Sequence, residues 1–316
     1  MKRQYFSVEK DGFYGAYYPN GKADNTAFLC MIGDSADNVM VRGAVKWLHD
    51  LGCHVLALAP AKTDCGYHSY PLECFEKAIA FLKSQGIEKI GVTGGSTTGM
   101  VALAAASCFP DITLTLAFTP PDFIMEGFYQ GKRDGCKEWP GEKESTLTYR
   151  GQPLPYLPYA WRHLDYWQNV MKESRADGNM IASRGLFDES ERLHPIQEPE
   201  KIKVENIRGR VVFVGARDDV LWDTCKYIRR MAQRLEERPH KCSYKVLLYE
   251  HGTHFVFPQG MIKKMMPVGV SLLVGLLFKA GRQHPKECKA TRVDIDRKIT
   301  RILREWQGAA EQRNSR

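Results

Sequence analysis

Ser96 stands in the run Gly94-Gly95-Ser96-Thr97-Thr98-Gly99, after a short apolar segment at 90–93 and before the Ala-rich stretch 100–107. A serine on a sharp strand-to-helix turn needs small neighbours, because the backbone there is strained and the flanking elements pack closely. Gly94, Gly95 and Gly99 supply that room. The run departs from Gly-x-Ser-x-Gly, since Thr98 takes the place of the last glycine and glycine follows one residue later. A glycine-rich junction of this kind also suits a phosphate at a helix N-terminus. It lacks, however, the lysine of a P-loop and the spacing of a dinucleotide fingerprint. The chemistry that fits best is nucleophilic attack by the Ser96 hydroxyl.

A serine hydroxyl is a weak nucleophile and needs a base. His254 lies in Tyr249-Glu250-His251-Gly252-Thr253-His254-Phe255, just after the last strand-like run. In a serine hydrolase built on this element order the histidine comes last in the chain. His251 competes for the role, and the aromatic residue after His254 favours His254. The acid should follow the apolar run 211–215, where Asp218 and Asp219 stand side by side. One would orient the imidazole and stabilise its cation, and the other would cap the helix starting near Trp222. Asp219 is the preferred acid and Asp218 the alternative. Backbone donors for an oxyanion are expected at Thr97, after the nucleophile, and in the loop Gly33-Asp34-Ser35. His251 and His254 are close together, but no HExxH or Cys/His spacing supports a metal. No cofactor is expected.

These residues need a scaffold that brings them to one end of a sheet. Strand-like runs occur at 5–8, 13–18, 27–32, 54–59, 90–93, 112–118, 211–215 and 244–249. Between them lie helical patterns. Residues 39–51 carry Val41, Ala44, Val45, Leu48 and Leu51 at helical spacing, closed by Gly52. The next helix carries Phe75, Ala78, Ile79 and Leu82 with Ser69 as its cap. A third spans 222–237. A last one spans 291–306, with Val293, Ile295, Ile299, Ile302, Leu303 and Trp306 on its apolar face. Strands alternating with helices imply parallel pairing through crossovers, and continuous apolar middle strands imply a sheet covered on both faces. The expected fold is α/β, a mostly parallel sheet of about eight strands with helices on both faces. Residues 121–205 break the alternation and are rich in Pro, Trp and Tyr. So long an excursion in a compact domain is usually functional, and it reads as a cap inserted over the site of a single domain.

Composition narrows the setting. The chain has 316 residues, 43% hydrophobic and 26% charged, ordinary for a globular protein. No segment reaches the roughly 18 apolar residues of a membrane span. The longest apolar stretch, 265–278, reads as a buried helix or a lid segment. The N-terminus has no apolar core of a secretory signal. Nine cysteines without a CxxC pair suggest reduced, mostly buried thiols, Cys30 and Cys53 among them, in a cytoplasmic protein. The net charge of +8 is concentrated toward 279–304. No nucleic-acid motif accompanies it, so no nucleic-acid partner is expected. A solvated helix face or attraction of an anionic substrate accounts for it.

Four segments together carry a resemblance: the Ser96 turn, residues 71–82, residues 202–207, and Asp219-Val220-Leu221-Trp222. They resemble the catalytic domain of the acyl-CoA thioesterase and bile acid-CoA:amino acid N-acyltransferase family, of the α/β-hydrolase superfamily, over roughly residues 25–306. The resemblance implies cleavage of an acyl thioester through an acyl-enzyme, with Ser96 as nucleophile, Asp219 as acid and His254 as base. It also implies a small-molecule acyl thioester or ester as substrate. Vertebrate members carry an N-terminal β-sandwich domain for which this chain has no room. The conjugating members use cysteine as nucleophile, and serine here points to water rather than an amine as acceptor. Trp139, Tyr156 and Trp161 of the cap would line the acyl pocket, and Lys132 and Arg133 would meet phosphates. A carboxylesterase or peptidase of the same fold shares all these features. A non-catalytic binding protein has only the Thr98 departure in its favour.

Overall fold

The computed structural model describes residues 3–21, 25–33, 35–61, 66–133 and 136–308, with the backbone alone at 130–133, 136–139, 141 and 142. Eight strands form the main sheet: β1 (Gln4–Phe6), β2 (Tyr14–Tyr18), β3 (Thr26–Met31), β4 (His54–Ala59), β5 (Lys89–Gly95), β6 (Ile112–Phe118), β7 (Arg210–Ala216) and β8 (Ser243–Tyr249). Their order is β1-β2-β4-β3-β5-β6-β7-β8. β2 pairs antiparallel with β1 and with β4, and every other neighbouring pair is parallel. The expected α/β architecture is present.

Side chains alternate across each strand, and the alternation divides the interior into two cores. Ala27, Leu29 and Met31 of β3, with Val211 and Phe213 of β7, face one core. Phe28 and Cys30, with Val212 and Val214, face the other. Both faces are apolar, so β3 is buried throughout. The first core is covered by α2 (Glu73–Ser84) and α3 (Thr97–Cys108). The second is covered by α1 (Val39–Asp50) and the C-terminal helices. Helix α1 follows the expected signals. Asn38 accepts a hydrogen bond from the Val41 amide at 2.8 Å. Gly52 takes φ 78°, a conformation that suits glycine, and the Cys53 amide reaches back to the Leu48 carbonyl at 3.0 Å. Cys30 and Cys53 are buried as expected.

The stretch between β6 and β7, unassigned to elements in the sequence, is structured. It holds an antiparallel pair, Glu126–Arg133 with Cys136–Ser145, and Leu147–Tyr149, which pairs with Tyr70–Pro71. Helices α4 (His163–Asp177) and α5 (Arg184–Leu193) follow. Its Phe123, Leu147, Leu157, Tyr166 and Phe187 join the same core as α3. After β7 come α6 (Thr224–Glu237), α7 (Gln259–Met265), α8 (Val270–Leu277) and, after a short turn of helix, α9 (Pro285–Gln307).

Four local expectations need correction. Ser69 does not cap α2. It sits at φ 48°, and its amide donates to the Ser145 carbonyl. The pairing of Tyr70 and Pro71 with Leu147–Tyr149 carries it away from the helix start. Helix α6 begins at Thr224, capped by Asp223, because Trp222 is turned inward to pack. Helix α9 starts earlier than residue 291, and Val293 is 48% exposed, off its buried face. The stretch 265–278 is not one buried helix: α7 and α8 meet at 95°, and much of α8 is exposed. Among the described residues no single helix is long and apolar enough to cross a membrane.

Glu126 is fully buried at the base of the insertion. It faces the Arg162 guanidinium at 2.6 Å and accepts from the amides of Lys143 at 2.9 Å and Tyr159 at 2.6 Å. Removing Glu126 leaves a partly exposed guanidinium unpaired and takes an acceptor from two amides, a loss of unsatisfied-donor size, about 1–3 kcal/mol. Glu126→Ala should therefore lower unfolding free energy in urea by about that much, whereas Glu126→Gln, which keeps an acceptor, should cost less. A loss below about 1 kcal/mol for Glu126→Ala would show that the network does not hold the insertion together.

Candidate active site

Ser96 lies between β5 and α3, at the N-cap position of the helix, with φ 62° and ψ −134°, a backbone region that costs a residue with a Cβ of order 1–3 kcal/mol. The strain is held by the chain on both sides. The Ser96 amide donates to the Phe118 carbonyl at 2.9 Å and lies 3.3 Å from Thr119 Oγ1. The glycines are explained by what a side chain would meet. A Cβ at Gly94 would lie 2.1 Å from the Thr98 carbonyl oxygen, one at Gly95 2.6 Å from the Phe257 ring, and one at Gly99 2.9 Å from the Phe118 carbonyl oxygen.

Thr98 stands where the usual pattern has glycine, and its side chain has a use there. It is buried. Its Oγ1 accepts from the Gly95 amide at 3.0 Å and lies 2.7 Å from the Met31 carbonyl oxygen and 2.8 Å from that of Gly95. The hydroxyl has one proton to donate between those two carbonyls. It thus ties the Ser96 turn to the end of β3, where the loop expected to carry oxyanion donors begins. In that loop Gly33 has φ 75°, and Ser35 Oγ accepts from the Asp37 amide at 3.2 Å. Asp34 lies outside the described residues. Thr97 is the first residue of α3, where a backbone amide has no partner within the helix.

The structure separates the two candidate acids. Asp219 is buried, and its carboxylate oxygens lie 3.0 and 2.9 Å from His254 Nδ1. It also accepts from the Leu221 amide at 3.0 Å and from the Thr224 hydroxyl. Asp218 does not cap α6. It accepts from the amides of Gly252 at 3.0 Å and Thr253 at 2.7 Å and faces His251 Nδ1 at 3.3 Å. One residue's difference at the end of β7 sends the two side chains to opposite tasks, Asp219 to the imidazole and Asp218 to the loop that carries it. His251 itself stacks on His284 at 3.8 Å.

With Nδ1 on Asp219, the other nitrogen of His254, Nε2, is buried and has no hydrogen-bond partner among the described residues. Trp222 packs edge-on against the imidazole at 4.8 Å, and its indole donates to the Thr119 carbonyl at 3.0 Å. Thr119 is the residue whose hydroxyl approaches the Ser96 amide. Phe257, three residues after His254, packs on Gly95 and on Phe118 at 5.3 Å. The Ser96 turn and the His254 loop therefore share two sets of neighbours. Thr119, Trp222 and Thr224 were not singled out as site residues in the sequence. The sequence signal for Trp222 was its place in the segment that begins at Asp219.

Tyr156 and Trp161 are half-buried against the first core. The Trp161 ring lies within 2.9 Å of the position a Cβ would take at Gly185. Burial, with the nearby Glu126 carboxylate, pushes the Tyr156 phenol up. The side chains of Trp139, Lys132 and Arg133 lie outside the described residues. Among the described residues no group of three or more His, Cys, Asp or Glu is placed to hold a metal.

Replacing Thr98 with valine keeps the shape but removes the side-chain acceptor of the Gly95 amide and leaves valine against the Met31 and Gly95 carbonyls. An unsatisfied buried donor costs about 1–3 kcal/mol. Thr98→Val should lower the urea midpoint accordingly, and Thr98→Ser should retain most of the wild-type stability. Equal stability of the valine variant and the wild type would remove the hydroxyl from this role.

Comparison with known proteins bears on this arrangement. No curated protein matches the chain. Among solved structures, a truncated carbohydrate esterase from gut microbiota aligns with a TM-score of 0.51 at 12% identity, covering 98% of this chain and 97% of that one. An esterase from Pyrococcus furiosus aligns at 0.48 and 13%, covering 96% of each chain. The esterase domain of a Rhodothermus marinus protein aligns at 0.44 and 13%, covering 95% of this chain and 99% of that one. At 12% identity the first of these likenesses speaks to the α/β fold alone. A family described as BAAT / acyl-CoA thioester hydrolase C terminal matches residues 70–261, a span that starts before α2 and includes Ser96, Asp219 and His254. With more than half of its length inside that match, the chain belongs to the BAAT / acyl-CoA thioester hydrolase C-terminal family.

Proposed function

We propose that the protein is a serine hydrolase that cleaves acyl thioesters through an acyl-enzyme. The observation that carries this reading is the buried His254 imidazole, fixed through Nδ1 by Asp219 and without a hydrogen-bond partner at Nε2 among the described residues, near a Ser96 held in a strained turn. Fixing one nitrogen as donor makes the other an acceptor. In the proposed first step Nε2 takes the Ser96 proton as Oγ bonds to the acyl carbon. Asp219 stabilises the imidazolium without taking its proton. Backbone amides at Thr97 and in the loop 33–35 would receive the charge on the acyl oxygen, each worth about 3 kcal/mol in the transition state. Collapse breaks the carbon–sulfur bond, and the imidazolium returns its proton to the departing thiolate. Water then attacks the acyl-serine, with His254 again as base, and releases the carboxylic acid.

Family membership supports a thioester as substrate, and serine at position 96 favours water as acceptor. The insertion between β6 and β7 would act as the cap, with Tyr156 and Trp161 on the acyl side. A reducing compartment such as the cytoplasm suits the cysteines. Cys30, Cys53, Cys74, Cys108, Cys225, Cys242 and Cys288 are all free. Burial pushes the thiols of Cys30 and Cys53 up to about 12, which keeps them from reacting as thiolates.

Steady-state kinetics on acyl-CoAs of graded chain length, beside p-nitrophenyl esters and with or without glycine or taurine, tests the assignment. Release of free CoA is expected without an amine. Ser96→Ala should lower kcat on the order of 10⁶-fold and Asp219→Asn roughly 10⁴-fold. Turnover of simple esters with none of any acyl-CoA would replace the thioester by an ester. Undiminished turnover by Ser96→Ala would remove the serine mechanism.

A further inference from the structure

Helix α8 reads Val270-Ser271-Leu272-Leu273-Val274-Gly275-Leu276-Leu277 and has no charged residue. A helix apolar on every side is ordinarily buried on every side or lies in lipid. In this protein only half of it is covered. Val270, Val274 and Gly275 pack inward, while Leu272 and Leu276, one turn apart, are 70% and 56% exposed. Val268, at the bend between α7 and α8, is 82% exposed. The apolar face continues onto the insertion. The Met180 amide donates to the Leu277 carbonyl at 2.9 Å, and the Met180 side chain is itself 63% exposed. The insertion is bound to α8 at this edge, since Arg282 also reaches the carbonyls of Gly275 at 2.8 Å and Gly178 at 2.5 Å.

The charge along residues 259–290 is mostly positive. Residues 259–290 hold Lys263, Lys264, Lys279, Arg282, Lys286 and Lys289 against the acid Glu287. Lys264 is paired with Asp50. Lys263, Lys279, Lys286 and Lys289 are exposed and have no carboxylate partner among the described residues. Exposed leucines with lysines at their margins match a surface that is apolar within and anionic at its boundary.

We propose that the α7–α8 bend docks on an anionic lipid bilayer, with Val268, Leu272 and Leu276 among the acyl chains and the lysines at the headgroups. A second copy of the chain fits the face less well. An isologous contact sets each patch against its own image, which would bring the unpaired lysines together. Helix α8 alone is too short to span, because its eight residues reach roughly 12 Å against a hydrocarbon core of about 30 Å, and the 95° bend to α7 suits a segment lying at the surface. The insertion, tied to α8 through Met180 and Gly178, would then lie against the same surface.

Flotation of the full chain with vesicles tests this, using phosphatidylcholine alone and phosphatidylcholine mixed with phosphatidylserine, at low and high salt. Binding is expected to the mixed vesicles and to weaken with salt. Leu272→Asp with Leu276→Asp should reduce partitioning on the order of tenfold or more. Lys263→Glu with Lys279→Glu should weaken binding and flatten its salt dependence. Both variants should melt as the wild type does, since the replaced side chains are exposed. No flotation with the mixed vesicles, or flotation that the leucine pair leaves unchanged, would overturn the proposal. So would a dimer in light scattering that the leucine pair dissociates, which would assign the face to a second copy.

Discussion

The contact between the Asp219 carboxylate and His254 Nδ1 is the one on which the proposed chemistry depends, and much of the surrounding structure maintains it. Asp219 is removed from water, so its charge must be met by hydrogen bonds. The Leu221 amide, the Thr224 hydroxyl and the imidazole meet it. The histidine sits on a loop, where placement would be loose without support. Asp218 provides that support from the next position in the chain by accepting the amides of Gly252 and Thr253. Two adjacent carboxylates therefore act in sequence, one setting the loop and the other the ring on it. Trp222 closes the far side of the imidazole and is itself pinned to Thr119.

The same economy of neighbours governs the serine. Thr119 approaches the Ser96 amide and also receives the Trp222 indole proton through its carbonyl. Phe257 lies on Gly95 and Phe118. A shift of either loop would thus disturb the other. Thr98 extends the connection to β3, so the strained turn is fastened to strands on both sides of β5. Backbone strain of the kind seen at Ser96 persists only where surroundings over-determine it. The Phe118 carbonyl, Thr119 and the Thr98 hydroxyl hold the turn here, and the glycines at 94, 95 and 99 leave the room it needs.

Much of this was legible in the sequence. Continuous apolar runs located the central strands, because a sheet covered on both faces leaves no polar side to alternate with. Gly52 marked the end of α1, and Gly94, Gly95 and Gly99 marked a crowded turn. The choice between Asp218 and Asp219 was not decidable from spacing, since both follow the same strand and differ by one residue; only their partners at 252–254 separate them. Thr98 showed as a departure from a pattern, but its partner Met31 lies 67 residues away. The insertion hid its hairpin and two helices behind prolines and aromatics with no sustained period. Ser69 was drawn off by a strand partner at Leu147–Tyr149 that no local signal announces. The stretch 265–278 read as a buried helix or a lid segment because it is apolar, and composition does not say which half of a helix the protein covers.

Covalent mapping with a fluorophosphonate tests the central claim most directly, because such a reagent is attacked far faster by a hydroxyl with a working base than by an ordinary side chain. Peptide mass spectrometry of the intact protein after brief exposure should place one adduct on Ser96, formed far more slowly when Asp219→Asn leaves the imidazole without its fixed orientation. An adduct on another residue, or one on Ser96 whose rate does not change with Asp219→Asn, would contradict the account.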